Sequence, residues 1–312
     1  MEFFHKVTSI PFMHTRRVWY VVSAVAVLAS LLSLAWHGLN LGVDFTGGIT
    51  IQARYAGEAD VDAVTAAMER AGFAEPVVTS FGSTREVLVR LPPQPENQSS
   101  DVLRSRVQAA LHSVNPSGEI LQIESVGAQV GDELSRNALW SIGVMMLLIF
   151  GYIALRFHSW RLSLGAIVGA LHDPILVAGF FSITHMTFDL PTVSALLAVI
   201  GYSLHDTIVV YDRIRERFLA SRRTPPAEVL DQSINQTLSR TIITSGATLM
   251  VVIVLLVLGG PVLRGFSAAL VVGILVGTYS SIYIASAIAL DLGLKADHLL
   301  PTAVKKPVDD LP

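Results

Sequence analysis

Six apolar runs, at residues 18–36, 137–155, 162–183, 190–211, 240–258 and 265–290, are each long enough to cross roughly 30 Å of hydrocarbon as a helix. Between the first and second run the pattern changes to alternation and amphipathic periodicity, which marks a water-facing domain over residues 37–136. Ile49, Ile51, Ala53 and Tyr55 alternate with Thr50, Gln52 and Arg54 and predict a strand. Asp60 is placed to cap a helix that carries Val61, Val64, Ala67 and Met68 on one side, with Gly72 to stop it. Val77 to Phe81 and Glu86 to Leu91 predict two strands joined across Gly82 to Arg85. A polar, proline-rich linker, Pro92 to Ser100, leads to a helix from Asp101 to His112, and Glu119 to Val126 closes the domain as a strand. The order β-α-β-β-α-β is that of a ferredoxin-like split βαβ unit.

The expected fold is therefore a polytopic α-helical membrane protein with six transmembrane helices and one small α+β domain between helices 1 and 2. Composition agrees: 52% of residues are hydrophobic and 15% charged, and the mean hydropathy is +0.55, outside the range of ordinary soluble domains. Arg16 and Arg17 ahead of the first run raise the possibility of a signal peptide. The run is too long for one, however, and no small-x-small cleavage site follows Trp36.

Basic residues in short loops favour the cytoplasm. Lys6, Arg16, Arg17, Arg156, Arg161, Arg213, Arg215, Arg217, Arg222, Arg223, Lys295, Lys305 and Lys306 all lie on one side of the predicted spans, and the opposite short loops hold only Arg264. Both termini (1–17 and 291–312) and the 212–239 connection are expected in the cytoplasm, with 37–136 outside, in the periplasm of a two-membrane cell. The absence of cysteine and a net charge of about −3 do not alter this picture.

Charge inside the spans carries the candidate chemistry, because an ionisable group there costs at least a few kcal/mol and marks an ion or proton pathway by default. Asp206 stands in the run LAVIGYSLHDTIVVY, and Arg240 opens the next one. Gly165, Gly169 and Asp173 recur at a spacing of four, so close helix approach carries Asp173 into an interface, with His172 before it and Pro174 after. In the fourth span Ser194, Ala198, Gly201 and His205 form a small-to-polar stripe. Arg240, Thr244 and Thr248 repeat the spacing in the fifth, and Gly265, Ala269, Gly273, Gly277, Ser281 and Ala285 do so in the sixth. These stripes predict that spans three to six pack around a polar centre fed by His172, Asp173, His205, Asp206 and Arg240, with Gly165, Gly169, Gly201, Gly273 and Gly277 as packing positions. At such a centre loss of water and a nearby arginine act oppositely on Asp206, a balance that lets a carboxylate exchange a proton. Asp44, in LGVDFTGG, reads as part of a tight turn into the first strand. No Walker-type loop, serine-nucleophile motif or HExxH occurs, and no enzyme activity, metal, cofactor or nucleic-acid partner is expected.

The stretches LGVDFTGGI (41–49), VGAQVGDEL (126–134), GALHD (169–173), IGYSLHDTIVVYDRIRE (200–216), NQTLSRTIITS (235–245) and GTYSSIYIAS (277–286) resemble the SecF family of protein-export membrane subunits, in motif order along nearly the whole chain. The resemblance implies a cell inner-membrane protein that pairs with SecD, a second six-span subunit, and assists the SecYEG channel. It also implies that the proton motive force drives late export of preproteins at the outer face. The family implicates the aspartate of its GYSxxD motif and the arginine of its TLxRT motif in proton coupling, and these match Asp206 and Arg240. One departure is His205, where the family commonly has asparagine: an ionisable neighbour either tunes or joins the proton relay or, the favoured reading, supplies as a neutral imidazole the same hydrogen bond as the amide. The competing reading is a proton-driven small-molecule or lipid exporter of the related resistance-nodulation-division class. Such exporters usually hold two six-span halves and two large outer domains.

Overall fold

The computed structural model describes residues 8–93, 100–157, 159–221, 223–296 and 299. Lys6, Arg222, Lys305, Lys306, the centre of the expected Pro92–Ser100 linker and most of the 291–312 tail lie outside the described residues. The chain begins with α1 (Arg16–His37), β1 (Asn40–Leu41) and α2 (Val43–Thr46). A sheet domain follows: β2 (Gly48–Arg54), α3 (Val61–Arg70), β3 (Val77–Phe81), β4 (Ser83–Leu91), α4 (Ser100–Val114) and β5 (Glu119–Val126). The helical part comprises α5 (Ala128–Phe157), α6 (Trp160–Thr184), β6 (Thr187–Phe188), α7 (Leu190–Ala220), α8 (Pro226–Leu258) and α9 (Gly260–Ser280), then a π turn (Ser281–Ala285) and α10 (Ser286–Asp291). Among the described residues six helices are long and apolar enough to cross a membrane, the last running through α9 and α10.

The sheet has the order β3-β4-β2-β5 with antiparallel pairing throughout, the ferredoxin-like arrangement. Alternation explains it: Ile49, Ile51 and Ala53 of β2 and Val87, Val89 and Leu91 of β4 turn inward, onto Val64 and Met68 of α3 and Leu103, Val107 and Leu111 of α4. Asp60 caps α3 by accepting from Ala63 N at 3.0 Å. The β3–β4 reversal is tighter than the expected Gly82 to Arg85 connection. Gly82, at φ 77°, turns the chain almost alone, and Thr84 and Arg85 are recruited into extended structure because their carbonyls accept from Ala59 N and Tyr55 N at 2.8 Å.

In the bundle, α6, α7 and the α9 to α10 span form the inner layer, with 50–56% of their apolar stretch buried, against 11% for α1 and 6% for α5. Close approach makes this layer. Gly273 of α9 faces Val199 of α7 so closely that a Cβ would lie 2.6 Å from a valine methyl, and Gly179 of α6 leaves room for Ser30 of α1. The sixth span is not the single α-helix that its stripe suggests. Tyr211 donates its hydroxyl to Ala285 O at 3.0 Å, Gly165 packs directly against the same carbonyl, and the helix accommodates the diverted carbonyl as a π turn. At 31 residues, about 46 Å, α7 is longer than a bilayer core is thick. Its polar end bears the Arg156–Asp212 and Arg213–Glu216 ion pairs, at 2.7 and 2.5 Å. There Arg213 and Arg217 also donate to Gln236 of α8. Near that end the 8–13 segment is fastened to α8, with Ile10 N donating to Asn235 Oδ1 and Met13 N to Asp231 Oδ1.

Candidate functional site

Among the described residues two carboxylates lie buried between the helices, in unlike settings. Asp173 is fully buried on α6. Its Oδ2 accepts from Ser203 Oγ of α7 at 2.5 Å and from Ser280 Oγ of α9 at 2.9 Å, while Oδ1 meets His172 Nδ1 at 3.0 Å. Gly169 and Gly165, one and two turns earlier on the same face, admit Ala285. Gly277 of α9 lets Ser203 in, for a Cβ there would lie 2.9 Å from Ser203 Cβ and 3.4 Å from Asp173 Oδ2. The glycine spacing thus brings three helices onto one carboxylate. His172 is buried as well, and its Nε2 has no hydrogen-bond partner among the described residues.

Asp206 is 4% exposed. It lies on the buried face of α7, three residues beyond Ser203, and its one side-chain hydrogen bond among the described residues is a long one, accepted from Ser245 Oγ of α8 at 3.5 Å. Ser245 also contacts Thr278 Oγ1 of α9 at 2.9 Å and accepts from the Tyr202 hydroxyl at 3.3 Å. Among the described residues no ion pair joins Asp206 to Arg240.

The single polar centre expected from the stripes is therefore corrected. His172, Asp173 and Asp206 are interior, whereas His205 and Arg240 are exposed on the outer surface of the chain. The whole fourth-span stripe, Ser194, Ala198, Gly201 and His205, faces outward. A Cβ on Gly201 would meet nothing within 4 Å, so this glycine packs no helix of its own chain. The inward face of α7 is the neighbouring one, with Thr192, Val199, Ser203 and Asp206. Thr244 and Thr248 spend their hydroxyls on the carbonyls of Arg240 and Thr244, both at 3.0 Å.

Sequence reasoning missed the hydroxyls that hold the carboxylates: Ser203, Ser245, Thr278 and Ser280. The available signal was the i, i+3 spacing of Ser203 and Asp206 and of Gly277 and Ser280. Asp44 lies in more than a turn. Its segment forms β1, which pairs in parallel with β6, and α2, and its Oδ2 accepts from Leu190 N at the start of α7 at 2.9 Å.

Comparison with known proteins follows this geometry. Residues 106–295 match the family model for the protein export membrane protein SecD/SecF, C-terminal, and residues 33–59 match the SecD/SecF GG motif, the segment that contains Asp44. A protein translocase subunit SecF from Vibrio alginolyticus is 46% identical over 96% of this chain and 94% of its own length. One from Pseudomonas aeruginosa is 42% identical over 98% and 99%. The crystal structure of SecDF, a translocon-associated membrane protein, from Thermus thermophilus is 38% identical with a TM-score of 0.83, over 91% of this chain and 39% of that one. SecDF in a super-membrane-facing form gives 0.67 at the same coverage. The chain thus spans about two-fifths of the SecDF chains whose architecture it shares. These matches over nearly its whole length, together with six membrane-crossing helices and one small sheet domain, make the chain a member of the SecF family of protein translocase subunits, multi-pass proteins of the inner membrane.

Proposed function

We propose that this protein couples the proton motive force to late export of preproteins through the SecYEG channel, acting with a SecD subunit, and that Asp206 is the group that takes up and releases the proton. The observation that carries the reading is the contrast in bonding: Asp206 is buried with one long hydrogen bond, so a change in its charge unties little of the fold. Arg240 and His205 complete the site from the outward face. A second six-span subunit covers the stripe of Ser194, Ala198, Gly201 and His205, removes Arg240 from lipid and brings its charge to bear on Asp206. Support comes from the 39% share of SecDF that this chain matches, which leaves room in that architecture for another such unit. The His172–Asp173 pair is joined through Ser203 to the face of α7 that carries Asp206 and serves as a second proton-handling position. In the corresponding topology both termini are cytoplasmic and residues 37–136 periplasmic, where the sheet domain meets the emerging polypeptide.

Proton entry supplies the work, since one charge crossing 100 mV releases about 2.3 kcal/mol. That is enough to bias two packings of a helical bundle. The two SecDF structures fit the matched stretch at different TM-scores, in keeping with such a pair of arrangements. The test is Asp206→Asn in membrane vesicles that contain the SecD partner and the channel. Gradient-dependent export is expected to fall at least tenfold with complex assembly unchanged, and full retained export rejects the role of Asp206.

A further inference from the structure

The N-terminus of α7, the helix that carries Asp206, is gripped from the sheet side by three separate contacts. Asp44 Oδ2 accepts from Leu190 N at 2.9 Å. Ahead of it β1 pairs with β6, and Gly42 N donates to Phe188 O at 2.8 Å. The third contact comes from the sheet itself. Arg90 of β4 donates through Nη1 to Asn40 Oδ1 at 2.9 Å and through Nη2 to the Thr187 hydroxyl. Burial pushes its guanidinium below the ordinary arginine pKa, and the nearby Asp189 charge opposes that. Asp189 in turn caps α7 by accepting from Thr192 N at 2.9 Å.

The end of the gripping segment next to the sheet is closely packed. Gly131 of α5 fits against it so closely that a Cβ would lie 2.8 Å from Gly47 N, and a Cβ on Gly48 would lie 2.5 Å from Leu91 O. One residue later the same segment becomes β2, the strand that pairs with both β4 and β5. The other covalent route from the sheet into the bundle is α5, which is mostly exposed and lies at the bundle's edge.

We propose that residues 40–48 together with Arg90 form a stiff link that transmits displacement of α7 to the sheet domain, with Asp44 and Arg90 as its positioning residues. The link rests on the reading of Asp206 as the proton-coupled group. It explains why a charge change deep in the bundle moves a domain outside the bilayer: the sheet is tied to the end of the very helix whose packing changes.

Because the chain has no cysteine, spin labels on Arg104→Cys of α4 and Val262→Cys of α9 report the sheet-to-bundle distance with no other label on this chain, in the full complex with a cysteine-free SecD. The Asp206→Asn change is expected to shift that distance. Adding Asp44→Ala and Arg90→Ala is expected to abolish the shift, and in the Asp206 background the same two changes lower gradient-driven export at least about fivefold. Asp44→Asn retains the acceptor for Leu190 N and retains both shift and export. A shift that persists in the double variant, with export intact, overturns the link and leaves the role of Asp206 standing. No shift in the intact protein also overturns the link, and the Asp206→Asn export assay then decides whether the proton-coupled reading falls with it. If the double variant does not assemble with SecD, Arg90→Ala alone carries the test: a reduced shift supports the link and an unchanged one overturns it.

Discussion

Asp173 and Asp206 occupy adjacent positions in the same bundle, yet one is a joint between helices and the other is almost unattached. Asp173 gathers donors from α7 and α9 and from its own neighbour His172, and the glycines around it exist to bring those helices within reach. Asp206 is nearly as well hidden, but Ser245 touches it only at 3.5 Å. Burial therefore does not by itself separate a structural carboxylate from one available for exchange. What separates them is how many partners lose a bond when the charge changes.

The comparison is broken most directly at Asp173. Replacing it with leucine leaves Ser203 and His172 without their acceptor, while Ser280 falls back on Gly277 O; at about 1 kcal/mol for each stranded buried donor the folded state should lose about 2 kcal/mol. Thermal unfolding in detergent reads this as a large fall in midpoint, and Asp206→Asn under the same conditions should cost less than about 1 kcal/mol. Equal losses at the two positions would sink the distinction. Next in size is Gly277→Ala, whose added methyl must push Ser203 away from 2.9 Å. Overpacking of this kind costs about 1–3 kcal/mol. The matched control is Gly169→Ala, whose Cβ would lie 3.6 Å from Ala285 Cβ, an ordinary contact, with a change near zero.

Much of this architecture was readable from residue pattern. The central strands β2 and β4 alternate because one face of each is covered by the domain's own helices, and β3 and β5 appear over the expected residues. The interior position of Asp173 followed from glycines at a spacing of four. The outward turn of the fourth-span stripe did not follow, because Ser194, Ala198, Gly201 and His205 have the composition of a packing face whether the covering helix belongs to this chain or to another. Period fixes which residues share a face and says nothing of who covers it. The link through Asn40, Thr187 and Arg90 was equally hidden: strands of two residues have no period, and their pairing joins segments nearly 150 positions apart.

A smaller effect sharpens the contrast through the hydroxyls. Ser203→Ala removes a 2.5 Å bond to a fully buried carboxylate and should cost about 1–2 kcal/mol, near the upper end for polar contacts within membranes. Ser245→Ala removes the 3.5 Å contact to Asp206 together with the contacts to Thr278 at 2.9 Å and to the Tyr202 hydroxyl at 3.3 Å, and should cost about 0.5–1 kcal/mol, little of it owed to Asp206. If a double-mutant cycle between Ser245→Ala and Asp206→Asn returns a coupling as large as the one between Ser203→Ala and Asp173→Asn, then Asp206 is bound more firmly than its distances indicate, and its freedom to change charge is lost as an argument.

The smallest expected effect is at Gly201, and it tests which surface of α7 belongs to the chain itself. A methyl there meets nothing within 4 Å, so Gly201→Ala should leave the unfolding midpoint of the isolated chain within experimental scatter. It should even gain slightly from the higher helix propensity of alanine. Gly201→Leu should be equally silent in the isolated chain, because the added bulk projects away from α6 and α9. Both variants are then mixed with the SecD subunit and scored by copurification. Loss of assembly with leucine but not with alanine assigns the stripe to the subunit interface, since only a close-packed partner senses the added volume. Unchanged assembly with both variants turns the stripe toward lipid and removes the subunit contact from Arg240. Destabilisation of the isolated chain by either variant would contradict the outward orientation of the stripe and return Gly201 to the interior with Asp173.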